Sequence, residues 1–211
     1  MRRHDKSEWQ GRSAAGHPQA RAPVYAGSAS VNSPRQVREH IAHRDALTNL
    51  PNRFLLADRV RQAIFQSQRR GQALALAYVD LDGVKTISDA HGQAVRDELL
   101  MSVSQRMKDA LRESDTLARI GGDEFVAVLV DLDEPTDSDS VLDRLLLVAS
   151  DPVAVGSVVL QVSATIGVTL YPDGSVDVDL LLRHAEQAFC CDTAQGKGRY
   201  QLFDLDLSLP G

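Results

Sequence analysis

"ALALAYVDLD", residues 73–82, is a near-continuous apolar run that ends in two acids. Such a run reads as a central strand buried on both faces. Side chains alternate along a strand, so Asp80 and Asp82 share one face while Leu81 points into the opposite layer. Downstream, "DTLARI" (115–120) and "FVAVLV" (125–130) flank Gly121, Gly122, Asp123 and Glu124. They read as a hairpin whose two glycines supply positive φ at a tight turn. With the 73–82 strand beside that hairpin, Asp80 and Asp123 approach one another at one edge of the sheet.

The remaining patterns complete a fold. "SPRQVREHIAHRD" (33–45) reads as a short helix, with Ser33 as cap and Pro34 in the first turn. A turn-rich "ALTNLPNR" follows. Residues 53–69 carry helical spacing, and residues 93–111 place Leu99, Leu100, Val103, Met107 and Leu111 on one helical face. Residues 137–149 and 178–194 are further helices. "VSATIGVTL" (162–170) alternates strictly and reads as a half-buried strand, with more strand residues near 152–161 and an edge strand at 199–204. The β-α-β-β-α-β order gives an α+β domain: an antiparallel central sheet flanked by helices, of the ferredoxin-like kind.

The hydrophobic fraction of 43% supports a real core, and the net charge of −6 argues against general nucleic-acid binding. Residues 1–36 hold six Lys/Arg and two acids, which leaves a body of about −10. That segment is rich in Ser, Ala, Gly, Pro and Arg and is expected to be a disordered tail or linker. The domain is expected over 37–206, with a short C-terminal tail at 207–211. No apolar stretch follows the basic start, and no run long enough to span a membrane occurs. Cys190 and Cys191 are adjacent and lack a partner elsewhere, so they read as reduced thiols of a cytoplasmic protein. The six histidines show no metal-ligand spacing.

Carboxylates gathered at a strand end repel one another and call for a cation. A hard, oxygen-bound Mg²⁺ suits them and keeps coordination sites for phosphate oxygens. Gly83 lets a phosphate approach the backbone, the next N–H groups begin a helical turn, and Lys85 adds charge. Carboxylates, metal and nucleotide phosphate together are the parts of a nucleotidyl-transfer site.

"RDALTNLPNR" (44–53), "AYVDLDGVKTISDAHG" (77–92), "RESDTLARIGGDEF" (112–125) and "ATIGV" (164–168) stand in the order and spacing of GGDEF domains, the diguanylate cyclases, which the chain resembles over about residues 40–206. The resemblance implies a fold like the palm of nucleotidyl cyclases and polymerases. It implies a homodimer in which each chain holds one GTP and each 3′-hydroxyl attacks the other's α-phosphate, giving cyclic di-GMP and two pyrophosphates with Mg²⁺ or Mn²⁺. By position, Asp80 and the Leu81 carbonyl resemble the metal ligands. Asp123 resembles the acid that bridges metal and assists deprotonation, and Glu124 one that serves a second metal. Gly121 and Gly122 make the turn against which the nucleotide lies. Gly83, Val84 and Lys85 match the phosphate-holding turn, Lys197 a phosphate contact, and Ser88 and Asp97 the guanine-reading positions. Arg112 and Asp115 match an inhibitory site for product, and Arg's planar fork suits phosphate and guanine alike.

The chain also departs from the family's pattern. Ser88 stands for an Asn, Val84 for a Phe, Gln93 for a His and Arg96 for a Gly. Thr193 replaces a phosphate-binding Lys, while Glu186 and Cys190 replace an Asp and a Tyr. The metal apparatus is therefore intact, while the base- and phosphate-reading apparatus is worn. Two principal functions follow: a diguanylate cyclase restrained by its product, or a GGDEF module that binds GTP or cyclic di-GMP and regulates a partner protein. A ferredoxin-like domain with no nucleotide role is the third. No sensor domain is legible, so control of pairing is expected to be absent or to act in trans.

Overall fold

The computed structural model describes residues 42–172, 177–192 and 198–203. The tails, all but the last residues of the expected 33–45 helix, and Thr193 and Lys197 lie outside them. The elements are α1 (Arg53–Arg70), β1 (Ala73–Asp82), α2 (Val84–His91), α3 (Gln93–Asp109), β2 (Thr116–Arg119), β3 (Glu124–Leu132), α4 (Asp139–Ser150), β4 (Val153–Val155), β5 (Val158–Leu160), β6 (Ser163–Tyr171), α5 (Val178–Asp192) and β7 (Tyr200–Leu202). A short 3₁₀ turn, Pro135–Ser138, leads into α4.

The apolar run at 73–79 occupies the middle of a five-stranded sheet ordered β2-β3-β1-β6-β7. β1 pairs antiparallel with both β3 and β6. Its two faces serve two cores. Ala75, Ala77, Val79 and Leu81 pack with α3, α4 and the β4–β5 ribbon. Leu74, Leu76 and Tyr78 pack with α1 and α5. A strand so enclosed has no solvent side, which is why its sequence does not alternate.

Several expectations change. β7 runs parallel to β6, so the sheet is antiparallel only through its first four strands. β4 and β5 form their own two-stranded sheet rather than extending the main one. The turn expected after Gly83 is a full helix, α2, separated from α3 by Gly92 at φ 86°. β6 is buried on both faces, because Thr165 and Thr169 are as enclosed as Ile166 and Val168. Gly167, on the same face as Thr165 and Thr169, lies against α5, and the hydroxyls of Ser163 and Thr165 reach Asp82 on β1.

Helix α5 lies close against β6 at Gly167. A Cβ there would run into the Ala185 carbonyl and the Phe189 amide, both rigid backbone. Helix α1 stops at Gly71, whose left-handed backbone (φ 69°) directs its N–H to the Ser67 carbonyl at 2.8 Å. Gly167→Ala is expected to destabilise the domain by about 1–3 kcal/mol through overpacking. The loss should be read as a lower denaturant midpoint with an unchanged m-value.

Candidate active site

The ends of β1 and β3 meet at one edge of the sheet. Asp80 stands directly opposite Glu124 in the β1–β3 register, and opposite Thr165 in the β1–β6 register. The Leu81 N–H donates to the Asp123 carbonyl at 3.1 Å, so backbone pairing runs past the strand end into the loop. The main chain of residues 123 and 124 thus lies beside Asp80 and Leu81. Leu81 buries its side chain in the core, which leaves only its main chain at the edge. Asp82 shares the face of Asp80, and its Oδ2 accepts from Thr165 Oγ1 at 2.9 Å and Ser163 Oγ at 3.2 Å. Those hydroxyls fix Asp82 against β6.

The glycines act differently from a two-residue hairpin turn. Neither Gly121 nor Gly122 has positive φ. The loop covers residues 120–123, and the N–H groups of Ile120 and Gly121 both donate to the Glu124 carbonyl, at 3.0 and 3.3 Å. A Cβ at Gly121 would meet the Glu124 carboxylate, which would have to move aside. The other end of that side chain's setting is Tyr78, whose hydroxyl donates to Glu124 Oε1 at 2.7 Å. Burial first, then the Glu124 hydrogen bond and charge, push the Tyr78 phenol well above its ordinary range, so it stays a proton donor.

Gly83 carries the positive φ the site requires, at 91°, and caps the N-terminus of α2. Val84 is buried, whereas Lys85 is exposed in the first turn. Ser88 lies half-buried late in α2, and its carbonyl accepts the Gly92 N–H at 2.9 Å. In the first turn of α3, Arg96 donates through Nε and Nη2 to one oxygen of Asp97, at 3.1 and 2.8 Å. The neighbouring cation noted in the sequence therefore grips the acid beside it.

Arg112 and Asp115 line a separate surface cavity of about 570 Å³, which Arg44, Arg59 and Lys108 also border. The Asp115 carboxylate accepts two backbone N–H groups, from Arg112 at 3.0 Å and Val130 at 3.2 Å. It ties the α3–β2 connection to the far end of β3. Each oxygen keeps a lone pair for a further donor.

The sequence reading gave no role to Asp45, Thr48, Arg119 or Tyr78. Asp45 Oδ1 accepts from the Thr48 amide at 2.8 Å, the Thr48 hydroxyl at 2.7 Å and Arg119 Nη1 at 2.9 Å. Arg119 is 7% exposed, its Nη2 donates to the Gly122 carbonyl, and its N–H donates to the Pro51 carbonyl at 2.9 Å. The "DALTNLPNR" turn is thus clasped to the 120–123 loop by one guanidinium. The legible signal was an arginine at the end of an otherwise apolar hairpin strand, since a buried cation needs a partner.

A mostly antiparallel sheet with helices on both faces, and carboxylates collected at the end of its central strands, defines a domain of the nucleotidyl-cyclase palm class. Within that class the chain belongs to the GGDEF family: residues 42–199 match the family described as diguanylate cyclase, GGDEF domain. It is 38% identical over 169 residues to the bifunctional diguanylate cyclase/cyclic di-GMP phosphodiesterase MucR of Pseudomonas aeruginosa, covering 80% of this chain and 24% of MucR. It is 35% identical over 169 residues to diguanylate cyclase TpbB of that organism, covering 79% of this chain and 39% of TpbB. The chain therefore spans from about a quarter to two fifths of these relatives' lengths. The solved GGDEF domain of TpbB matches with a TM-score of 0.74 at 33% identity, over 78% of this chain and 96% of that one. Diguanylate cyclase SiaD, solved with its activator SiaC and also from Pseudomonas aeruginosa, matches with a TM-score of 0.72 at 31% identity, over 80% of this chain and 64% of that one. No described helix is long and apolar enough to cross a membrane.

Burial alone would raise the Asp45 carboxyl, but the Thr48 hydrogen bonds and the Arg119 bond and charge outweigh it and hold it below its ordinary 3.8. A depressed carboxylate stabilises the fold above its unfolded pKa, and that stability is lost as pH falls through the folded value. Asp45→Asn should therefore lose less stability than the wild type as pH falls below 3.8, measured as acid-unfolding curves. Arg119→Ala should cost about 2 kcal/mol or more at neutral pH in chemical denaturation, the scale of charged hydrogen bonds lost from a buried site.

Proposed function

We propose that this chain is a diguanylate cyclase domain that joins two GTP molecules into cyclic di-GMP and two pyrophosphates. The observation that carries the reading is Asp80 directly across from Glu124, with Asp123 bonded through its carbonyl to the Leu81 N–H. A protein without nucleotide chemistry has no evident use for three acids at the mouth of a buried sheet.

The donors here are hard oxygens. Among the described residues no three ligating side chains form a ready-made metal cage. Oxygen donors of this kind suit Mg²⁺ or Mn²⁺, whose coordination substrate phosphates and water complete. Asp80, the Leu81 carbonyl, Asp123 and Glu124 would hold the ion, which when bound offsets phosphate charge and acidifies a nearby hydroxyl. Gly83 and the first N–H groups of α2, with Val84 and Lys85, receive the phosphates; Lys197 is assigned to them as well. Asp123 takes the proton of the 3′-hydroxyl as its oxygen bonds to the α-phosphorus and the bond to pyrophosphate breaks. Ser88 and Asp97 read the base. Each half-reaction uses the GTP of a second copy, so the working unit is a homodimer.

We place this chemistry in the cytoplasm, where GTP is made and used. The domain is assigned to 37–206, between tails at 1–36 and 207–211. Arg112 and Asp115 are proposed as a product-binding inhibitory site, supported by the cations around their cavity.

One observation favours the second reading, a weak or inactive module that binds nucleotide and regulates a partner protein. Arg96 holds one oxygen of the Asp97 carboxylate through two hydrogen bonds. The deciding experiment is GTP and Mg²⁺ incubation with mass-spectrometric detection of cyclic di-GMP, after removing bound product. The wild type is expected to form product, and Asp80→Asn and Asp123→Ala to form at least 100-fold less. No product from a folded wild type that still takes up cyclic di-GMP decides for the regulatory module.

Three variants test the details. Arg96→Ala should tighten GTP binding by about ten-fold by freeing Asp97, measured by calorimetry with a non-reacting analogue. Arg112→Ala should raise the product concentration needed for half-inhibition at least ten-fold without lowering the melting temperature. Asp115→Ala should do the same and also destabilise the fold by about 1–3 kcal/mol, because two backbone donors lose their acceptor.

A further inference from the structure

We propose that Tyr78 is a positioning residue that holds Glu124 in place for a divalent cation. The proposal rests on the reading of Asp80, Asp123 and Glu124 as a metal site.

Tyr78 lies two residues before Asp80 on the same face of β1, diagonal to Glu124 across the β1–β3 pairing. The residue is 6% exposed, and its ring rests 5.6 Å, centroid to centroid, from Phe189 of α5. The phenol is therefore fixed by packing before it meets anything polar. Its hydroxyl reaches Glu124 Oε1 at 2.7 Å. The rest of the Glu124 carboxylate lies over Gly121.

These contacts answer a problem set by the register. Two carboxylates directly opposite on neighbouring strands repel each other. A glutamate has enough rotatable bonds to swing clear of an aspartate. The Tyr78 hydroxyl opposes that motion: it binds Oε1 of Glu124, while Oε2 lies over Gly121, and each oxygen keeps a lone pair for a cation. Outer partners of metal-binding carboxylates act in this way, by fixing orientation in advance. A tyrosine serving only the core would need some acceptor for its hydroxyl. It would not need the one carboxylate that faces Asp80.

The test is Mn²⁺ uptake by the full chain, followed through the spectroscopic signal of free Mn²⁺ with 3′-deoxy-GTP present so that no product forms. Wild type, Tyr78→Phe, Glu124→Gln and the double variant are compared, each with its melting temperature. Tyr78→Phe keeps the ring and removes one oxygen. It is expected to weaken Mn²⁺ binding roughly ten-fold with little change in melting. Glu124→Gln should weaken it at least as much, and adding Tyr78→Phe should then change little further. Equal Mn²⁺ affinity in wild type and Tyr78→Phe overturns the role of Tyr78 and leaves the metal site standing. An equal loss from Tyr78→Phe in both backgrounds overturns it too, since the tyrosine would then act on something other than Glu124. A folded wild type that takes up no Mn²⁺ removes the metal-site reading and, with it, the proposal.

Discussion

Asp80 and Glu124 carry like charge and stand opposite each other at the end of two paired strands. Left to itself that pairing is destabilising. The surroundings are arranged so that it persists. The β1–β3 register is set by apolar residues that must reach two different cores, and a slip of one residue would turn every side chain to the wrong layer. The hydrophobic effect, acting along the whole strand, thus outweighs a local repulsion at its tip. Gly121 gives Glu124 somewhere to lie, Tyr78 bonds it, and Arg119 brings a cation to the same loop through Gly122.

The strongest local signals in the sequence were also the most faithful. β1 begins and ends at the residues that its apolar run marks, because a strand enclosed on both sides leaves no polar position inside. α1 and α3 follow their apolar stripes closely. The errors share a cause: tertiary neighbours decide what polar and small residues mean. Thr165, Thr169 and Gly167 made β6 look half-exposed, yet all three are buried. The two glycines of the loop suggested left-handed backbone, yet neither adopts it, and Gly121 lies under the Glu124 carboxylate instead.

The site was legible to the extent that its acids are contiguous with strands. Register and alternation suffice to bring Asp80 beside residues 123–124. Its supporting contacts were less visible, because they join distant segments. Asp45 and Arg119 are 74 residues apart in the chain. Tyr78 and Glu124 are 46 apart, and Tyr78 is hidden in a run where it reads as one more apolar residue. Asp115 shows the converse. It belongs to a recognisable R-x-x-D spacing, but two backbone donors give it structural work as well.

The clasp between Asp45 and Arg119 also makes the 120–123 loop mechanically continuous with the segment before α1. Asp45 is held in its own turn by Thr48 and by the Leu50 carbonyl, and Arg119 is held to Pro51. Displacing that turn pulls on a guanidinium whose other arm grips the Gly122 carbonyl. The next residue in the loop is Asp123, whose carbonyl is bonded to β1. Tension or torque arriving at residue 45 therefore reaches the acids through a few short, charge-assisted links. The turn works as a tendon as much as a cap.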